Sequence, residues 1–239
     1  MLFRFPHSSW LPACRRLLLL LPALVLAAGL SARSLVKADV QLANNAVLAM
    51  YQDEDANMWI GTYDGLHLYN GKNTFVFRME LDNEFSLCSN IVLEIAPAEK
   101  GYLWVATSLG INKFSLRERR VVESYMQYVD VENIASDSEG NTVLFSGEDF
   151  ITCYRPGRAF FEDVYIPGVR AAEIVAVWSE APRVFCTLGR DGELVRYRLN
   201  DGEGKSLVRV SGRQLSARPV RKAFFNGGRL LFVGSVRCV

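Results

Sequence analysis

The sequence predicts an all-β fold: a β-propeller of four-stranded blades, incomplete, with about four blades plus the start of a fifth. Three observations predict it. Similar segments recur every 39–48 residues, Asp-Gly and Asn-Gly pairs separate short apolar runs, and no stretch after the N-terminus sustains a long helical period. Four strands in a unit of about 40–45 residues is the sequence mark of a propeller blade. A lone blade leaves both faces uncovered, so neighbouring blades must pack on it.

The period is clearest in its first two copies. Asn57-Met-Trp-Ile-Gly-Thr-Tyr-Asp-Gly-Leu-His-Leu-Tyr69 aligns with Tyr102-Leu-Trp-Val-Ala-Thr-Ser-Leu-Gly-Ile-Asn-Lys-Phe114. Trp59 thereby matches Trp104, Thr62 matches Thr107, Gly65 matches Gly110, and Asn45 matches Asn90. Three weaker copies place Val143, Val184 and Phe232 at the tryptophan position. A hydroxyl then follows three residues after every anchor: Thr62, Thr107, Ser146, Thr187 and Ser235. A small residue precedes the first four anchors by three: Ala56, Gly101, Gly140 and Ala181.

Within the first copy the apolar runs predict strands at Val47–Gln52, Met58–Thr62, Leu66–Tyr69 and Phe75–Met79. The turns between them fall at Asp53–Asn57, Tyr63-Asp64-Gly65 and Asn70-Gly71. Asx-Gly pairs suit such turns because their backbones tolerate positive φ. Asp191-Gly192, Asp201-Gly202 and Asn226-Gly227 repeat the device.

The N-terminus departs from this pattern. Residues 1–16 carry Arg4, Arg15 and Arg16 with no acid, and Leu17–Leu30 is an apolar run of 14 residues. As a helix it would rise about 21 Å, short of a hydrocarbon core of about 30 Å. Residues 1–38 therefore read as a secretory signal peptide, cleaved after Ala38 or alternatively after Ala32. An uncleaved membrane anchor is the competing reading. Cys14 precedes the apolar run, so it does not read as a lipoprotein cysteine. The localisation expected is periplasmic or exported, with residues 39–239 as the propeller domain.

The whole chain has 27 basic and 26 acidic residues. Without residues 1–38 the net charge becomes −4, divided between −11 over residues 39–189 and +7 over residues 190–239. The basic residues of the last segment are dispersed along strands, so the expected partners do not include nucleic acid.

Candidate chemistry is sparse. Asp53-x-Asp55-x-Asn57 has the alternating oxygens that open a calcium loop, but it lacks the following glycine and distal glutamate. It also coincides with a hairpin turn, so no metal site is predicted. His67 alternates with Leu66 and Leu68 and reads as a strand residue. Asp64, Glu148, Asp149, Asp191 and Glu193 are the acids available for glycosidic chemistry, which needs two carboxylates about 5–10 Å apart. All lie in turns, and no catalytic residue is predicted. Tyr63 and Asp64 are the nearest candidates for a carbohydrate platform, with Tyr63 expected to cap blade packing instead. Cys88, Cys153, Cys186 and Cys238 have irregular spacings, which predict neither a zinc site nor an essential disulfide. No cofactor is expected, and the ligand-binding residues stay unassigned.

Gln52-Asp-Glu-Asp-Ala-Asn-Met-Trp-Ile-Gly-Thr-Tyr-Asp-Gly-Leu66 resembles the two-component regulator propeller repeat. Tyr102–Phe114 is a second match, and Asp137-Ser-Glu-Gly-Asn141 restores the turn of a third. The resemblance implies the periplasmic sensor region of a hybrid two-component histidine kinase, responding to glycan-derived oligosaccharides. It implies a parent with a second propeller, a β-sandwich, a membrane span, and kinase and receiver regions, with homodimerisation possible in that parent. Ala56 stands where the repeat usually has glycine, and the third and fourth copies lack the tryptophan. Kinase motifs are absent from the sequence, and its only histidines are His7 and His67. The chain is therefore expected to be a non-catalytic, truncated N-terminal portion, poorly soluble alone. A secreted glycan-active enzyme and a protein-binding propeller are the alternatives.

Overall fold

Asx residues in tight turns leave the intervening apolar runs free to extend and pair. The computed structural model describes residues 40–125, 131–147, 150–157, 160–164, 166, 168–200, 207–226 and 229–234. The predicted signal peptide, residues 1–38, lies outside them. In blade 1, β1 (Val47–Gln52), β2 (Met58–Thr62), β3 (Gly65–Tyr69) and β4 (Thr74–Phe77) form one antiparallel sheet in sequential order. Blade 2 repeats it with β5 (Val92–Pro97), β6 (Tyr102–Thr107), β7 (Gly110–Ser115) and β8 (Arg120–Tyr125). Blade 3 comprises β9 (Val131–Ser136), β10 (Thr142–Ser146), β11 (Phe150–Tyr154) and the short β12 (Glu162–Asp163). A 3₁₀ turn at Ala171–Glu173 leads into blade 4, made of β13 (Ile174–Ala181), β14 (Val184–Gly189), β15 (Glu193–Leu199) and β16 (Leu207–Gln214). A hairpin of β17 (Val220–Asn226) and β18 (Arg229–Gly234) begins the fifth.

The first strands of consecutive blades lie side by side, β1 by β5, β5 by β9, β9 by β13 and β13 by β17. This is the propeller arrangement, with first strands innermost. Each junction between blades holds its own apolar core. Trp59 packs with Leu66 and Leu68 against Ile95, Val105 and Phe114 of blade 2. Trp104 meets Leu144, Tyr154 and Phe161 of blade 3, its ring 5.1 Å from that of Tyr154. Val143 and Phe145 meet Phe185 and Tyr197 of blade 4, while Cys186 and Leu188 meet Val220 of the hairpin. The anchor side chain of every blade therefore faces the following blade.

Strand pairing corrects the sequence register in the last two copies. The residue opposite the start of each innermost strand is Thr62, Thr107, Ser146, Gly189 and Gly234, and a bulge follows in every case. The structural anchors, three residues earlier, are Trp59, Trp104, Val143, Cys186 and Leu231. Val184 and Phe232 are thus displaced by two residues and one residue, and Thr187 does not belong to the hydroxyl column. The left-handed turn confirms this register. It falls at Ala56 (φ 63°), Gly101 (φ 89°), Gly140 (φ 84°) and Arg183 (φ 59°). An arginine in a conformation favouring glycine hid the fourth copy, and Ala181 took its place in the alignment. Ser235 lies outside the described residues.

The predicted fourth strand also ends early, at Phe77 instead of Met79. Met79 N–H donates to Asn90 Oδ1 at 2.7 Å, which turns the chain away from the sheet. At the blade 1–2 junction Val92 packs so closely on Gly61 that a Cβ there would lie 2.6 Å from Val92 Cγ1.

Candidate functional site

The repeat's own polar residues are committed to structure. Asp53 Oδ1 accepts from Asp55 N–H and Asn57 N–H, and Oδ2 accepts from Asn57 Nδ2 and Trp59 Nε1 at 3.0 and 2.9 Å. Burial pushes the Asp53 carboxyl up, but these hydrogen bonds outweigh it and hold the group below the usual aspartate range. Asp137 binds its turn in the same way and adds Arg183 N–H of blade 4 at 2.7 Å. Thr62 and Thr107 close their hairpins by donating to the carbonyls of Gly65 and Gly110. Asp64 forms a bidentate pair with Arg78, while Tyr63 stands 52% exposed beside it and caps no blade.

His67 is fully buried in β3, and its Nε2 accepts from Ala43 N–H at 3.0 Å. Burial holds its pKa below the ordinary histidine value. Lys113 is buried between blades 2 and 3, where Glu99 pairs with it and the rings of Tyr102, Trp104 and Tyr154 surround it. Cys88, Cys153 and Cys186 are free thiols; burial pushes Cys153 and Cys186 up to about 11.

One cavity lies on blade 4. Its volume is about 270 Å³, and it lies between the sheet and the 168–174 segment that arrives from blade 3. Ile174, Val195 and Tyr197 give it an apolar floor, and Thr187 lines it beside them. Thr187 is 1% exposed, and its hydroxyl faces the phenol of Tyr197. The phenol of Tyr197 lies alongside, its pKa raised by burial against the opposing influence of Arg209 and Thr187. Charged groups ring the mouth. Glu193 pairs with Arg209, and Glu173 lies between Arg170 and Arg190 at 3.9 and 4.0 Å. Asp191 Oδ1 accepts from Glu193 N–H at 2.9 Å and shapes the turn.

Larger hollows of about 670 and 520 Å³ lie around the 79–88 loop; the first is lined almost wholly by that loop, and the second adds Phe77, Phe114 and Val121 with Arg78, Arg119 and Arg120. Small-molecule sites combine apolar walls with a few convergent polar groups, a description that fits the blade 4 cavity and the 520 Å³ hollow.

Of the acids considered for chemistry, Asp191 and Glu193 both line this cavity. Asp64 belongs to blade 1, and Glu148 and Asp149 lie outside the described residues. Sequence reasoning missed Glu173, Tyr197 and Arg209, which come from separate strands and loops. It also assigned Thr187 to the hairpin column. The missed signal was an apolar position changing to threonine, which only the corrected register reveals.

The segment that contains the Asp53 turn, Trp59 and Thr62 decides the family of the repeat. Residues 41–64 match the two component regulator propeller. The chain carries a two-component regulator propeller repeat. No curated protein matches it. Among solved structures, the chain is similar to the extracellular domain of a hybrid two component system from B. thetaiotaomicron, with 18% identity and a TM-score of 0.54. That likeness covers 81% of this chain and 26% of the other, so this chain spans about a quarter of that structure. At such identity the likeness concerns the fold: the two-component regulator propeller repeat here builds the same kind of propeller. Among the described residues no helix is long and apolar enough to cross a membrane.

Proposed function

We propose that this chain is an exported ligand-sensing region of a hybrid two-component signalling protein, responding to glycan-derived oligosaccharides. The observation that carries the reading is the two-component regulator propeller match at residues 41–64, set in a structure that repeats the blade. The charged N-terminus, apolar run and small residues before Asp39 support export. A cavity with an aromatic wall, a buried hydroxyl and paired carboxylate and guanidinium groups supports a hydroxyl-rich ligand. Signal output requires further regions of a parent protein. In that parent, ligand biases one arrangement of the sensor over another, since only differential affinity shifts an equilibrium.

The test is thermal unfolding of the full chain against a panel of plant and host glycan oligosaccharides. A binder present at 100 times its Kd adds about 2.7 kcal/mol of stability, so its melting midpoint rises. If the whole panel leaves the midpoint unchanged, the glycan reading fails.

A further inference from the structure

The junctions between blades 1 and 2 and between blades 2 and 3 are built alike but filled differently. At the second, Trp104, Tyr125, Tyr154 and Phe161 form one cluster, with the Phe161 ring 5.2–5.4 Å from each of the other three. At the first, Trp59, Phe77 and Phe114 take the places of Trp104, Tyr125 and Tyr154, with their rings 5.0–6.1 Å apart. Pairing of Cys153 with Glu162 sets Phe161 beside Tyr154, whereas the residue beside Phe114 is Val121. Among the described residues, three rings therefore stand where the neighbouring junction has four. A hollow of about 520 Å³ lies over them, lined by Phe77, Phe114 and Val121 and bordered by the 79–88 loop. That loop is fastened here, because Val121 N–H donates to the Phe85 carbonyl at 3.0 Å.

We infer that this hollow binds an aromatic monocarboxylate, its ring in the place that Phe161 fills at the next junction and its carboxylate on Arg119. The inference is independent of the glycan reading. Size fits, since about 520 Å³ lies within the roughly 300–1,000 Å³ of small-molecule pockets. Ring chemistry fits, since aromatic pairs gain from edge-to-face and offset contacts at about 4.5–7 Å. Charge follows from the four charged residues of the lining. Arg78 is held by Asp64, Arg120 by Glu118, and Glu80 accepts from Asn83 Nδ2 at 2.7 Å. Arg119 stacks over the Phe75 ring at 5.0 Å, and among the described residues no carboxylate pairs with it. Its backbone is left-handed, at φ 53°, a conformation that favours glycine. The guanidinium is thus kept at the rim against the local backbone preference, and its planar fork suits a carboxylate. Glu80, Asp64 and Glu118 disfavour a second negative charge, which makes the ligand a monoanion.

The experiment is calorimetric titration of the full chain with benzoate, phenylacetate, phenylpropionate and indole acetate. Phenylethanol, phenylethylamine and acetate serve as neutral, cationic and ringless comparisons. Wild type, Arg119→Gln and Val121→Phe are compared. The expected result is that at least one acid binds wild type with a Kd of about 1 mM or below, as suits a ligand of about ten non-hydrogen atoms. The three comparison compounds bind at least about tenfold more weakly. Arg119→Gln weakens the acid about tenfold through loss of one charge-assisted contact, and it melts as wild type does because the residue is exposed. Val121→Phe supplies the fourth ring itself and abolishes binding. If Val121→Phe melts well below wild type, overpacking is the cause and Arg119→Gln decides alone. An acid bound equally by wild type and Arg119→Gln overturns the site, as does one bound equally by a stable Val121→Phe. Equal binding of the alcohol or the amine overturns the anionic class. No binding by any acid at about 10 mM, well above the expected Kd, overturns the site outright. None of these results bears on the oligosaccharide panel, so the glycan reading stands or falls separately.

Discussion

Asp53 and Asp137 hold the same place in blades 1 and 3, and each carboxylate collects four N–H donors. The fourth donor differs: the indole of Trp59 within blade 1, but the backbone of Arg183 in the next blade for Asp137. Asp53→Ala should cost about 2 kcal/mol through lost charge-assisted bonds. Asp137→Ala should cost about 1 kcal/mol more, because it also frees a junction between blades. Urea denaturation of the two variants checks the order. Because the Asp53 carboxyl is held below its unfolded value, its contribution is present above about pH 4 and disappears as pH falls through the folded pKa. The spacing of Asp and Asn made this turn legible from sequence. The bond to Arg183 was not legible, since its partner lies 46 residues away.

At the scale of elements, the strand boundaries of blade 1 follow directly from apolar runs between Asx-Gly turns. Register in blade 4 does not, because Arg183 adopts the left-handed conformation that glycine marks elsewhere. The same misalignment concealed the cavity. The innermost strands carry a second consequence. Glu94 on β5 is desolvated by burial, which pushes its pKa up to about 7, and Lys222 of β17 pulls weakly in the opposite direction. A carboxyl raised in the folded state contributes most below its unfolded pKa near 4.5, and that contribution is lost as pH rises towards 7 and beyond. Glu94→Gln should therefore leave stability at pH 4 unchanged and raise it at pH 8 by roughly 2–3 kcal/mol. Melting curves at both pH values check this; an equal effect at both would assign the gain to packing.

For the whole molecule, the decisive geometry is what covers the outermost blades. Met50 is 66% exposed, whereas Ile95, its counterpart in blade 2, is 4% exposed. Leu231, at the anchor position of the last hairpin, is 70% exposed, whereas Trp59 and Trp104 are buried. Among the described residues no blade covers either face. Exposed apolar faces of this kind favour association. Met50→Lys combined with Leu231→Lys should raise the soluble fraction on expression and change stability by less than about 0.5 kcal/mol each. A large loss of stability would show that these faces are packed. The period of the repeat made the propeller legible, but the cavity needed strands distant in sequence to converge. The proposed sensing role is tested most directly by thermal unfolding of the full chain with the oligosaccharide panel: a midpoint raised by at least one member is the result expected, and a midpoint unchanged by every member would contradict it.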